Sequence, residues 1–325
     1  MIQTLTSVHA KRHLRREEDG TRHERKPEPV HGHASVLLSE TLALLDLKKG
    51  ELVLDATAGR GGHSEAILRA APNCLIAMDA DPESVAATRE RLKNFGERAL
   101  VVEANFRDAA AVLKREHIKA VDKALFDLGW NMSQLASGRG FSFMHDEPLS
   151  MSYGPQPASG FTAAEILNNW SEKVLADVIF GYGEERYARP IARAIAARRD
   201  IEPIKTTHEL VEIIRDAVPA RARRGRINPA TKTFQALRIA VNDELGSIEK
   251  GVRGAWRHLS PGGRIAVISF HSIEDRAVKN LLRALAREEG GKLITKKPLV
   301  ASREEALANP SARSAKLRAI EKPIN

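Results

Sequence analysis

Cysteine is almost missing from this chain. The one thiol, Cys74, excludes an internal disulfide, a cysteine-based zinc site and a dithiol redox centre. It opens an apolar run, Cys74–Met78, and reads as a buried strand residue. Long hydrophobic runs are missing too. No stretch approaches the ~18–20 apolar residues that a membrane helix needs. The N-terminus has no apolar core of a secretory signal. It is rich in arginine, but Glu17, Glu18, Asp19, Glu24 and Glu28 argue against a transit peptide. These absences predict a cytoplasmic protein with no membrane segment.

What is present is a chain of 325 residues, 42% of them hydrophobic, enough for a large core and roughly two domains. Its net charge of +9 favours a polyanionic partner, because neutralised phosphates release counterions. Residues 1–30 are polar and charged and read as a disordered basic arm. After His33 short apolar strands alternate with helical patterns. Strands are expected at Leu52–Leu54, Cys74–Met78, Ala99–Val102 and Lys123–Phe126, with helices between them. That rhythm predicts a doubly wound α/β fold with a parallel sheet covered on both faces. It breaks at 134–228, where a Gly/Ser/Pro/Met-rich loop is followed by helices without strands. These residues are expected to form an inserted helical domain, splitting the α/β domain into 31–133 and 229–325. One long helix is expected from Thr231 to Leu259, with Phe234, Leu237, Val241, Leu245, Ile248, Val252, Ala255 and Leu259 on one stripe. Pro261-Gly262-Gly263 reads as a turn, Arg264–Phe270 as a fifth strand, and Lys292–Thr295 with Ala315–Ile320 as a terminal hairpin.

The segment Asp55-Ala-Thr-Ala-Gly59-Arg-Gly61-Gly62-His63-Ser64 follows a strand and opens a helix, so its glycines allow a ligand close to the backbone. Asp79 ends the next strand, twenty residues after Gly59, where a carboxylate can accept both hydroxyls of a ribose. A dinucleotide fingerprint would need glycine where Ser64 stands, which disfavours a nicotinamide-dependent oxidoreductase. The form D-x-x-x-G-x-G resembles the first motif of class I S-adenosylmethionine-dependent methyltransferases.

Six strings in order sharpen that resemblance: GRGGHS (59–64), RGFSF (139–143), GYGEERYARPIARAI (181–195), INPATKTFQALRIAVNDEL (227–245), GGRIAVISFHSIEDRAVK (262–279) and NPSARSAKLR (309–318). Over about residues 31–322 the chain resembles the bacterial methyltransferase family that modifies the exocyclic N4 of a cytidine in the decoding centre of 16S ribosomal RNA. The resemblance implies a class I fold with an inserted helical domain, S-adenosylmethionine as cofactor, and the small ribosomal subunit as partner. It implies cofactor contacts at Gly61, Gly62, His63, Asp79, Phe106, Asp127 and Gln134. The chain also departs from the family. Where DLGVSSPQ is usual it has Asp127-Leu-Gly-Trp130-Asn-Met-Ser-Gln134, and GPLDMRMD is replaced by Glu147-Pro-Leu-Ser-Met-Ser-Tyr-Gly154.

Methylation of cytosine carbon 5 generally needs a cysteine nucleophile, and Cys74 lies in the wrong strand for it. An exocyclic amine instead needs an acceptor that redirects its delocalised lone pair and takes up the developing charge. Asp127, expected at the carboxyl end of strand four, is the candidate, and no metal is required. His271 follows strand five at the same sheet edge and is a second catalytic candidate, with a structural histidine as the competing reading. Trp130 is a candidate for stacking on an extruded base, against plain packing at the hinge. Glu274 and Asp275 read as favourable charges in a helix's first turn. Arg221, Arg223, Arg224 and Arg226, with Lys232 and Arg238, are phosphate-binding candidates. Two alternatives stay open: an amino-methyltransferase acting on another RNA or on DNA, and a ribosome-assembly factor that binds RNA without catalysis.

Overall fold

The computed structural model describes residues 35–70, 74–129, 137–225 and 228–324. The N-terminal arm, Trp130, Gln134 and Arg226 lie outside the described residues.

Five parallel strands form the framework: β1 (Leu52–Asp55), β2 (Cys74–Asp79), β3 (Ala99–Glu103), β4 (Val121–Asp127) and β5 (Leu259–Ser269). The terminal strands β6 (Lys292–Leu293), β7 (Leu299–Val300) and β8 (Lys316–Glu321) complete the sheet, in the order β3-β2-β1-β4-β5-β8-β6 with β7 on β8. The expected hairpin forms, with Leu293 opposite Ile320, and β8 also runs antiparallel along β5. β5 begins earlier than expected. Leu259 already pairs with Val121, and the Pro261-Gly262-Gly263 bend is absorbed as an irregularity in the ladder, with Gly262 at φ 73°.

Strand periodicity sorts side chains to two faces. Leu54, Ile76, Met78 and Phe126 face a core under α4 (Ala109–Arg115), α11 (Glu244–Arg257) and α12 (Ser272–Glu288). Val53, Leu75, Ala77 and Ile268 face the other, under α1 (Leu38–Leu45) and α2 (Gly62–Ala70). α3 (Pro82–Leu92) connects β2 to β3 and starts at a proline, whose fixed φ suits a first helical turn. Cys74 departs from its expected burial. It is exposed, at the first position of β2, where the strand has not yet entered the core.

Between β4 and β5 lie α5 (Ala163–Asn169), α6 (Glu172–Gly183), α7 (Ala188–Arg199), α8 (Thr207–Ala217) and the short α9 (Ala220–Arg223). α5 and α8 start at capping boxes, Thr162 with Glu165 and Thr206 with Glu209, which satisfy backbone donors at both ends of the first turn. These helices close a third core with α10 (Thr231–Asn242), which packs tightly along α6. A Cβ on Gly183 would meet the Lys232 carbonyl at 2.6 Å, so that crossing requires glycine.

The long helix expected from Thr231 to Leu259 is two helices. Asp243 adopts the left-handed conformation (φ 44°, ψ 46°) between α10 and α11, and its carboxylate lies 3.3 Å from Arg107. The apolar stripe is divided at this break. Phe234, Leu237 and Val241 serve the helical core, and Ile248, Val252, Ala255 and Leu259 serve the sheet. One continuous helix has one axis and could not bury both halves against differently placed cores.

Candidate active site

The strand order reverses between β1 and β4, and a cavity of about 390 Å³ opens beyond their carboxyl ends. Open α/β sheets bind ligands at such a switch point, and the volume suits a nucleoside-sized ligand. Four parallel strands deliver their last residues to this edge: Asp55, Asp79, Asp127 and Ser269.

The glycine turn is built from positive φ at Gly59 (54°) and Gly61 (78°), which lets the chain reverse from β1 into α2. The Gly61 N–H donates to the Ala58 carbonyl (2.7 Å), and Thr88 Oγ1 donates to the Gly59 carbonyl (2.8 Å). Gly62 lines the cavity, and a Cβ there would fall 2.2 Å from Ser35 Oγ. Gly61 instead packs against Thr88 and Arg91 of α3, so its glycine serves the turn and the neighbouring helix. Asp55 is wholly buried behind the turn and accepts from Ser64 Oγ (2.6 Å). Burial raises its pKa, against the lowering effects of Ser64 and His63.

Asp79 accepts the N–H groups of Gly59 (2.8 Å) and Asp81 (2.9 Å), one on each carboxylate oxygen. Burial pushes its pKa up to about 6, although both hydrogen bonds oppose this. Each oxygen keeps a lone pair for a ribose hydroxyl. Phe106 follows β3 in a short 3-10 turn and lines the same cavity. Its ring meets Phe126 edge-on at 6.1 Å, and the absence of a side chain at Gly251 makes room for it.

Asp127 ends β4 and lines the cavity. Its Oδ2 lies 3.3 Å from Nδ1 of His63, while Oδ1 is buried without a hydrogen-bond partner among the described residues. Gly129, two residues on, has φ 107°, and a Cβ there would approach the Phe270 ring at 3.0 Å. The His63 side chain is buried and faces the β4 carboxylate. Its Nε2 contacts the Val36 carbonyl at 3.1 Å. Burial lowers its pKa, but the hydrogen bond and charge of Asp127, with Asp55 behind, outweigh that and the net shift is upward.

His271 is the N-cap of α12. Its Nδ1 accepts the Glu274 N–H, and the Glu274 carboxylate accepts the N–H groups of Phe270 and His271. With Nδ1 accepting, Nε2 carries the proton and donates to Glu274 Oε1 at 3.1 Å. Glu274 and Asp275 are first-turn charges of α12 as expected; Glu274 is in addition a buried member of the capping box, and Asp275 binds Arg318 of β8 (2.7 Å). The donor atoms of Glu244, His271 and Glu274 lie within 4.8 Å of one another, a spacing that suits a metal ion. The cation among them is Arg238: its Nη2 is 3.0 Å from Glu244, 3.2 Å from His271 Nε2 and 3.9 Å from Glu274.

This corrects the reading of Arg238 as a phosphate contact. It is buried and held in a two-point ion pair by Glu244, whose carboxylate also accepts the Tyr153 hydroxyl (3.0 Å). Burial opposes the Arg238 charge, and the neighbouring carboxylates more than restore it. Burial likewise raises the Tyr153 pKa well above its ordinary value. Tyr153 belongs to the loop that departs from the family pattern. It lines the cavity, stacks on Phe141 (5.5 Å) and donates its N–H to Asn242. Sequence reasoning missed Tyr153, Glu244 and the Ser35–Val36 segment. The only signal was charge inside the apolar α10–α11 pattern.

Arg221, Arg223 and Arg224 are exposed at α9 and are not among the residues that line the cavity. Arg223 donates to the carbonyls of Val218 and Asp216 and so closes the end of α8. Arg221 and Arg224 pair with none of the described residues. Lys232 is tied to the Glu184 carbonyl at 2.9 Å.

The model of the MraW methylase family matches residues 30–323 of this chain. A protein named ribosomal RNA small subunit methyltransferase H from Carboxydothermus hydrogenoformans is 48% identical over 309 residues, covering 89% of this chain and 97% of that protein. A protein of the same name from Heliobacterium modesticaldum is 45% identical over 312 residues, covering 90% and 99%. A solved rRNA methylase from Streptococcus thermophilus aligns over 91% of this chain and 97% of its own, with 11% identity and a TM-score of 0.42. With a family model matched over residues 30–323 and near full-length identity of 45–48% to these relatives, the chain belongs to the MraW methylase family.

Proposed function

We propose that this chain transfers a methyl group from S-adenosylmethionine to the exocyclic N4 of a cytidine in 16S ribosomal RNA, in the decoding centre of the small subunit. The observation that carries this reading is the Asp127 carboxylate at the switch point. It lies beside the glycine turn and Asp79, in a chain whose relatives are named as small-subunit RNA methyltransferases. A ribosomal substrate agrees with the net charge of +9 and with work in the cytoplasm; no helix among the described residues is long and apolar enough to cross a membrane.

The donor fits the chemistry of the residues present. Asp79, a buried carboxylate with lone pairs to spare, would hold ribose hydroxyls. Phe106 offers an aromatic face for an adenine, and Gly62 leaves backbone open to the amino-acid end. The bound donor supplies a methyl carbon made electrophilic by a sulfonium, which leaves as a neutral thioether. The Asp127 carboxylate accepts from the cytosine amine, draws the nitrogen lone pair out of the ring and takes the proton that the amine loses on gaining the methyl. His271 acts from the wall by holding Glu274 and the start of α12. The helices between β4 and β5 would form the RNA-recognising insertion, with exposed Arg221 and Arg224 on its phosphate-facing side. Carbon-5 chemistry is disfavoured further, because Cys74 sits at the amino end of β2, about 17 Å of strand away from Asp79.

A tritiated-methyl transfer assay tests this reading. It uses naked 16S RNA and small subunits from cells lacking the modification, followed by nucleoside analysis. Label in N4-methylcytidine is expected, with a loss of about 10²-fold or more for Asp127→Ala. Donor binding without label in either RNA would move the substrate elsewhere. Absence of donor binding would leave an RNA-binding assembly factor.

A further inference from the structure

Resting on that reading of Asp127, we infer that His63 is a positioning residue for methyl transfer: as an imidazolium it holds Oδ2 of Asp127 and so fixes the orientation of the carboxylate at the cavity. The resemblance assigned His63 only a cofactor contact, yet its ring is spent on other groups. Nε2 lies 3.1 Å from the Val36 carbonyl, and a carbonyl only accepts, so Nε2 must carry a proton. Nδ1 lies 3.3 Å from the Asp127 carboxylate, so it too must carry a proton while that carboxylate is ionised. A neutral ring would keep its proton at Nε2 and turn the Nδ1 lone pair on Oδ2. Two acceptors would then face each other, and Asp127 would lose its orientation.

The surroundings hold the ring in this state. The charged groups that face it are Asp127 from β4 and Asp55 from β1, both acidic, while the segment before α1 presents only the Val36 carbonyl. The ring is 5% exposed, so water does not compete for either nitrogen. β1, β4, α2 and the segment before α1 converge on one imidazole. This accounts for Ser35–Val36 at the cavity wall, which no motif indicated. The arrangement resembles in logic a hydrolase dyad with the roles exchanged: the histidine orients and the carboxylate takes the proton.

Two measurements test this. In the free protein, imidazole nitrogen NMR should find both His63 nitrogens protonated, with a pKa above the ordinary histidine value that falls on Asp127→Asn. An ordinary or lowered pKa, or no response to that substitution, overturns the inference even if the RNA substrate proves different. In single-turnover methyl transfer with both substrates saturating, the wild-type rate should fall at alkaline pH as His63 loses its Nδ1 proton. His63→Asn keeps a donor near Nδ1 that cannot titrate. It should lose the alkaline limb, react about 10-fold more slowly, and leave donor affinity within about 3-fold of the wild type. His63→Ala should cost about 10²-fold. An unchanged alkaline limb in His63→Asn, or a loss confined to donor affinity, overturns the positioning role. A wild-type chain inactive on every RNA tested would count against the proposed substrate and leave the NMR result to decide the protonation of His63.

Discussion

At the end of β2, Asp79 occupies a place that works against the stability of the empty protein. Its pKa stands near 6 because burial disfavours its charge, whereas an unfolded chain would ionise it near 3.8. Between these values the native state binds more protons than the unfolded one, so stability is highest below pH ~3.8 and is lost as pH rises through ~6. Asp79→Asn should therefore match the wild type in acid and exceed it by at most about 3 kcal/mol at pH 7, while binding the methyl donor less well. Urea titrations without donor, from pH 3.5 to pH 7, measure this. A stability difference that does not grow across that window would show that the carboxylate is not destabilised by burial. At this scale Asp79 and Asp127 were legible because strand ends and glycine turns are local patterns. The partnership of His63 was not: Val36 and Asp127 are 27 and 64 residues away, and only packing brings them together. Cys74 misled for a related reason. An apolar run predicts a strand but not which of its ends emerges from the core.

Among elements, the break between α10 and α11 connects the helical layer to the cavity edge of the sheet. Across it Arg238 of α10 binds Glu244 of α11 at 2.7 and 3.0 Å, with both side chains no more than a tenth exposed. Removing one partner of a buried pair leaves an uncompensated charge, so Arg238→Met should destabilise the fold by about 3–5 kcal/mol. Arg238→Met with Glu244→Leu should recover part of that loss, as Glu244 is then no longer stranded, while buried Glu274 keeps only His271 and its backbone donors. Chemical denaturation of both single variants and the double variant completes the cycle; strict additivity would mean that the pair does not act as a unit. Methyl transfer should remain impaired in the double variant, because Tyr153 would lose its acceptor in the cavity wall. The stripe of apolar residues was readable from Phe234 to Leu259, but periodicity carries no information about the number of axes. The left-handed Asp243 is selected by two cores pulling in different directions, together with its ion pair to Arg107.

For the molecule as a whole, the excess of positive charge matters through its distribution. Buried or paired arginines such as Arg238 and Arg318 hold the fold together, whereas Arg221 and Arg224 are exposed and free of partners among the described residues. If these two meet phosphates, Arg221→Gln with Arg224→Gln should weaken RNA binding several-fold. It should also flatten the salt dependence by about 0.7–0.9 for each phosphate that is no longer neutralised, with donor affinity unchanged. Filter binding of 16S RNA between about 50 and 200 mM salt, with donor titration as the control, measures both; an unchanged slope would place the phosphate-binding side chains elsewhere. The sequence by itself determined the alternation of strands and helices, the glycine turn, the strand-end carboxylates and the helical interruption after β4. All of these arise from short-range patterns of polarity and backbone freedom. Tertiary structure alone decided that His63 serves Asp127, that Arg238 is a buried counter-ion, that Tyr153 reaches the cavity and that α10 ends at Asp243. Those outcomes depend on which distant groups share a low-dielectric space, and no pattern along the chain records that.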